Sequence, residues 1–257
     1  MIVRQTGGTH QAFRRGPFRI QRVRPGVGLG DPRDLGVGPL GAFDHAHLSP
    51  GLLVPMHQHR NDEIVSYMHR GSLHHLDSSR ARVELTPTRM SVMNAGSGIS
   101  HEEFIPADGA EAEMLQVFIR PRAEDLEPEV HFHEFPEATS LNAWRLIAGS
   151  ERFRAPLTVR NEIALFDARL SDHSLTIPEE PGWDSFLYVL SGQVLLNGEV
   201  MRTGDSALAL GESPGELLAE ESADLVLFLF AKDAEVSLRG TRSGGGQVRG
   251  PLTALGG

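Results

Sequence analysis

A chain of 257 residues, 40% hydrophobic and 23% charged, is long enough for one large β domain or two ordinary ones, and its composition excludes a disordered protein. With no cysteine, disulfides, thiolate metal sites and cysteine nucleophiles are excluded, so any metal must be held by histidine and carboxylate side chains. A net charge of −10 speaks against general nucleic-acid binding, which needs a basic footprint on the phosphates.

Residues 1–15 carry polar and charged side chains where a signal peptide would have its apolar stretch, and no apolar run reaches the roughly 20 residues of a membrane helix. A cytoplasmic protein without membrane association is expected. The next segment is locally basic, with Arg14, Arg15, Arg19, Arg22, Arg24 and Arg33 against Asp31, and reads as a solvated strand face pairing with acidic surface elsewhere. From there, 28 glycines and 16 prolines punctuate short runs of alternating apolar residues, the pattern of an all-β sandwich or barrel. Strands are expected at 40–48, 64–69, 72–77, 90–94, 113–119, 163–170, 185–190, 193–196, 206–210 and 225–230.

Two pairs of metal-ligand type stand in the first half. His57 and His59 are two residues apart, as are His101 and Glu103. Side chains alternate along a strand, so the members of each pair point the same way, about 7 Å apart. Two such strands facing each other inside a barrel converge four donors on one point. Three imidazoles and a carboxylate form an N/O site compatible with Fe, Mn, Ni, Cu or Zn, and leave positions open for a substrate when the metal takes more than four ligands. Glu102 is out of phase and turns away. His45 and His47 share a face of the preceding strand with Phe43 and read as core or surface histidines, lining the pocket only if that face is the interior. Of His74 and His75, adjacent on a strand, at most one can approach the site. His131 and His133 fall in an acidic, proline-bounded stretch that reads as a linker, and are assigned no metal.

Beyond that stretch the chain repeats itself. EIVSYMHRGSLH, beginning at Glu63, is answered by DSFLYVLSGQVL, beginning at Asp184, each a strand, a glycine turn (Gly71 or Gly192) and a second strand. The second copy has neither His-x-His nor His-x-Glu and is expected to fold without a catalytic metal, and Trp183 and Phe186 read as packing residues. The expected organisation is a metal-binding barrel at 1–125, a linker at 126–140, a degenerate second barrel at 141–238 and a glycine-rich tail at 239–257.

The stretch from Gly51 through His57, His59, Arg60, Glu63 and Gly71, followed by Met93-Asn-Ala-Gly-Ser-Gly-Ile-Ser-His101-Glu-Glu103, resembles the cupin motifs of the pirin family, HPHRGFE and MxAGxGIxHxE. Gln58 stands in place of proline, and Asn61-Asp62 in place of glycine and an aromatic residue. LNGEVMRTGDSALAL resembles the C-terminal module of bacterial, quercetinase-like pirins. The resemblance implies a bicupin, with His57, His59, His101 and Glu103 holding one divalent metal, Fe(II) first and Ni, Mn, Cu, Co or Zn after it. It implies Glu63 as a residue that orients a ligand histidine, with Glu63 or Glu103 serving as a base. It further implies a dioxygenase of the quercetin 2,3-dioxygenase type, which cleaves a flavonol with O2 and releases carbon monoxide. The rival implication is a non-enzymatic metal-binding regulatory or stress-response protein that acts through a protein partner.

Overall fold

A computed structural model describes residues 1–244. It is built of strands, with two short 3-10 turns and no α-helix among the described residues. No helix is long and apolar enough to cross a membrane. The all-β class and the two cupin-type barrels expected from the sequence are what the chain forms.

After β1 (Ile2–Gln5), the first half forms β2 (Gln11–Arg15), β3 (Phe18–Val23), β4 (Leu40–Leu48), β5 (Leu53–His59), β6 (Glu63–Arg70) and β7 (Leu73–Asp77). It continues with β8 (Arg82–Leu85), β9 (Arg89–Asn94), β10 (Ile99–Phe104), β11 (Ala112–Ile119) and β12 (Glu129–Glu134). A seven-stranded sheet in the order β12-β9-β6-β11-β4-β3-β2 is accompanied by a four-stranded sheet in the order β5-β10-β7-β8. Side chains from both sheets interdigitate in one core, with Ile20, Ala46, Met68 and Met114 from the larger and Val54 and Leu73 from the smaller.

The second half forms β13 (Arg145–Gly149), β14 (Leu157–Thr158), β15 (Ile163–Thr176), β16 (Trp183–Ser191), β17 (Gln193–Leu196), β18 (Glu199–Arg202), β19 (Ser206–Ala209) and β20 (Glu216–Ala231). Strands β15 and β20 pair along almost their whole lengths. Both outrun the segments expected from the sequence: Asp172, Glu220 and Glu221 break the apolar pattern and fall at an irregularity of the ladder, which resumes beyond them from His173↔Ala219 to Thr176↔Glu216.

The repeat is structural. Gly71 turns the chain from β6 into β7 and Gly192 turns it from β16 into β17, with φ of 68° and 82°, and in neither case do the two strands pair with each other. A Cβ at Gly71 would lie 2.1 Å from the Glu111 carbonyl oxygen, and one at Gly192 would lie 2.4 Å from that of Ser222. Both turns therefore require the left-handed conformation and the absence of a side chain.

The chain does not divide in linear order. One compact unit comprises Gln11–Phe135 with residues 235–244, and the other Met1–His10 with Pro136–Ala234. The linker expected at 126–140 is corrected in part, since β12 pairs with β9 from Glu129↔Asn94 to Glu134↔Arg89 and so extends the first sheet. Its valine and phenylalanine alternate with the two histidines, and the ladder satisfies backbone groups that a linker would leave to water. Of the expected tail at 239–257, only residues 239–244 fall within the described residues. They dock on the first unit, where Thr241 N donates to the Arg60 carbonyl (3.0 Å) and Arg120 Nε to that of Ser243 (3.0 Å). The basic N-terminal stretch is likewise divided. Arg14, Arg15 and Arg19 are exposed, as expected of a solvated face, but Arg22 is 3% exposed and lies inside.

Candidate metal centre

Strands β5 and β10 are antiparallel neighbours, with His57 opposite His101 and His59 opposite Ile99. Between His57 and Val54 the register shifts by one residue. This bulge falls at Pro55-Met56, where a proline, lacking an N–H to donate, is readily accommodated. The extra residue restores phase: Val54 belongs to the core and His59 is also buried, while Met56 and Leu53 are exposed.

Three rings meet as a result. His57 Nε2 lies 3.1 Å from His59 Nε2 and 3.1 Å from His101 Nε2. The other nitrogens of the first two rings are already engaged. His57 Nδ1 donates to the Pro55 carbonyl (2.9 Å), and His59 Nδ1 donates to Asp62 Oδ2 (3.1 Å). With the protons on Nδ1, His57 and His59 turn Nε2 lone pairs toward each other, an arrangement that a shared cation relieves. Protonation offers no escape. Burial, then the neighbouring His59, pushes the His57 pKa down to about 4, and burial followed by the charges of His59, His57 and His75 drives that of His101 far down.

Glu103 is brought beside His101 but not into the three-ring cluster. Its Oε1 lies 3.9 Å from His101 Nδ1, and both of its oxygens accept from Gln116 Nε2 (3.1 and 3.3 Å). It groups instead with His75 and His101, ligand atoms within 4.8 Å of one another. Burial raises its pKa against the lowering effects of His75, Gln116 and His59. His75 is the one of the adjacent pair that approaches the site: its Nε2 bonds Asp77 (3.0 Å) and its Nδ1 lies 3.5 Å from that of His101, while His74 stacks on Phe104.

A carboxylate that orients His59 is found at Asp62, one residue before the Glu63 expected in such a role. Glu63 opens β6, on the face opposite Ile64. Asp62 is fully buried, and besides His59 it accepts from Arg242 N (3.0 Å), Ser243 N (2.9 Å) and Ser243 Oγ (2.7 Å). Such a set of donors satisfies the lone pairs of a buried carboxylate. Sequence reading missed this residue. The signal was the departure at Asn61-Asp62: Asn61, standing where the resembling motif has glycine, takes the left-handed conformation (φ 53°), and the next residue is a buried carboxylate.

His45 and His47 share the face of β4 opposite Ala46 and Leu48, so they do not line the first barrel's interior. Together with Glu113 they form another close group, in which His45 Nε2 lies 2.9 Å from Glu113 Oε1 and Arg70 Nε 3.3 Å from Oε2. His131 and His133 lie on β12, and His131 faces Glu129 (3.0 Å).

Comparison with known proteins agrees with this geometry. Residues 39–119 match the pirin family. The chain is 23% identical over 199 residues to quercetin 2,3-dioxygenase of Escherichia coli K12, covering 77% of this chain and 85% of that one. It is 29% identical over 186 residues to human pirin, covering 68% of this chain and 62% of that protein. Among solved structures, YhhW of Escherichia coli superposes with a TM-score of 0.78 at 20% identity, over 90% of this chain and 97% of the other. The structure of that bacterial pirin in complex with nickel(II) gives the same TM-score and identity.

Proposed function

Because this chain belongs to the pirin family, we propose that its first barrel is a metal-dependent dioxygenase of the quercetin 2,3-dioxygenase type. In this reading His57, His59, His101 and Glu103 hold one divalent ion, Fe(II) first among the candidates, and the substrate is a small aromatic enol such as a flavonol, cleaved with O2 in the cytoplasm. The observation that carries the reading is the pair of Nε2 lone pairs held 3.1 Å apart by Nδ1 hydrogen bonds to Pro55 and Asp62. Names of relatives add support, at identities of 23% for the Escherichia coli enzyme and 29% for human pirin.

When bound, the metal supplies Lewis acidity toward the adjacent hydroxyl and carbonyl oxygens of a flavonol. The protein's own residues do the rest. Pro55 and Asp62 fix the tautomers of His57 and His59. Gln116 holds Glu103 beside His101, where its carboxylate is placed either to complete the ligand set or to accept the enol proton. Burial of His101 and His59 keeps bulk water from competing for the imidazole nitrogens.

The test is anaerobic reconstitution with each metal followed by quercetin under air. Loss of the flavonol absorbance with release of carbon monoxide, absent in His57→Ala, is the expected result. Rates with every metal no greater than those of the free ion would remove the enzymatic reading and leave a metal-binding regulatory protein with a protein partner.

A further inference from the structure

The larger sheet of the first barrel carries a row of polar residues across its inner face. Arg22 on β3 is opposite Asp44 on β4, Asp44 is opposite Gln116 on β11, and Gln116 holds Glu103. Arg22 grips Asp44 through Nε (2.7 Å) and Nη2 (2.6 Å). Its remaining nitrogen, Nη1, is buried and has no hydrogen-bond partner among the described residues. A guanidinium is always charged and its donors are costly to leave unmet out of water, so a buried free N–H calls for an acceptor that comes and goes. Phe118 connects this group to the metal centre: its ring centroid lies 6.0 Å from the Arg22 guanidinium carbon and 6.3 Å from the His59 ring.

A second guanidinium reaches the same place from the far end of the chain. Arg242 donates its backbone N–H to Asp62, the carboxylate that orients His59. Its side chain is half-buried within the field of Arg22, Asp44 and Asp62, and its charge is felt at His57. Arg24 is also within the field of Arg22. Asp44, bonded to Arg22, thus also acts electrostatically on Arg24 and Arg242, in a protein whose net charge is −10. Like charges held together in a partly dry place favour an anion.

We propose that the site takes an organic anion, a ligand with a carboxylate in addition to the oxygens it presents to the metal, and that Arg22 Nη1 and Arg242 bind that carboxylate. The inference rests on the first barrel being a substrate site at a metal centre and names the class of substrate, an aromatic or enolic carboxylate in preference to a neutral flavonol.

The test is calorimetric titration of the full-length protein, metal-stripped and zinc-loaded, in low-chloride buffer with benzoate and with its neutral isostere benzamide. Benzoate is expected to bind at least tenfold more tightly in both forms. Arg242→Gln should reduce that preference at least threefold and leave benzamide unchanged. The Arg22→Met/Asp44→Leu double variant, which leaves no lone buried charge, should abolish it. Equal affinities, or a preference untouched by both variants, would overturn the proposal. So would a preference confined to the zinc-loaded form, because the carboxylate would then be a metal ligand. None of these readouts depends on turnover, so a failed flavonol assay with the benzoate preference intact removes the dioxygenase reading and keeps the arginine subsite.

Discussion

Asp62 stands where the resembling motif carries an aromatic side chain, and this single exchange decides how His59 presents its ring. Its other acceptor positions are filled by Arg242 and Ser243, so the carboxylate has one place left for a proton donor, the Nδ1 of His59. Asp62→Ala should lower metal affinity about 10- to 100-fold, the usual effect of losing a group that orients a ligand. Glu103→Gln should cost at least as much if Glu103 completes the set, and chelator competition on both variants measures the two effects side by side. An Asp62→Ala protein that retains its metal unchanged would show that Pro55 and packing alone hold the rings. The histidines and Glu103 were legible in the sequence because strand alternation needs only local spacing. Asp62 was not: the departure at Asn61-Asp62 marks the position and His59 is only three residues away, but the donors that hold the carboxylate come from residues 242 and 243, which no local pattern announces.

At the scale of elements, glycine turns and alternation placed the strands well. Strand β4 covers the expected 40–48 and β17 the expected 193–196. Reading was poorer where a strand's role depends on its neighbour. The acidic, proline-flanked residues of β12 look like a linker until β9 offers them an edge, and β5 hides a bulge that only pairing with β10 reveals. Gly71→Ala must either move the Glu111 carbonyl or leave the left-handed region, so it should destabilise the protein by about 2 kcal/mol or more, read as a lower denaturant midpoint. Gly192→Ala should do the same in the second barrel. An unchanged midpoint for either would mean that the turn relaxes more easily than the approach of an added Cβ to the facing carbonyl implies.

For the whole molecule, the centre couples stability to pH. Burial first, and neighbouring imidazoles second, hold His57 and His101 below the usual histidine pKa, so in the folded chain they stay neutral while the unfolded chain takes up protons below about pH 6.5. The unfolded state then binds more protons, and stability falls with pH through the window from 6.5 to about 4 for His57 and lower still for His101. Glu103, raised by burial, works in the opposite direction at the acid end of the window. Denaturant midpoints of the metal-stripped protein should therefore drop between pH 7 and pH 5, and equal midpoints would contradict the buried neutral histidines. A chain ended after Ala234 loses the Arg242 and Ser243 donors to Asp62. It should lose metal to a chelator about as readily as Asp62→Ala does, measured as ions retained per chain after dialysis.

The position of those donors also sets an order of events in the cell. Asp62 leaves the ribosome 180 residues before Arg242, and at about 5–20 residues per second the interval is roughly 10–40 s. Throughout it, the strands that carry His57, His59 and His101 can pair while the carboxylate behind His59 has no backbone donors from the segment that will cover it. Maturation of the centre therefore waits for that segment: a nascent chain stalled before residue 242 is expected to hold an ion more loosely than one that already carries Arg242 and Ser243.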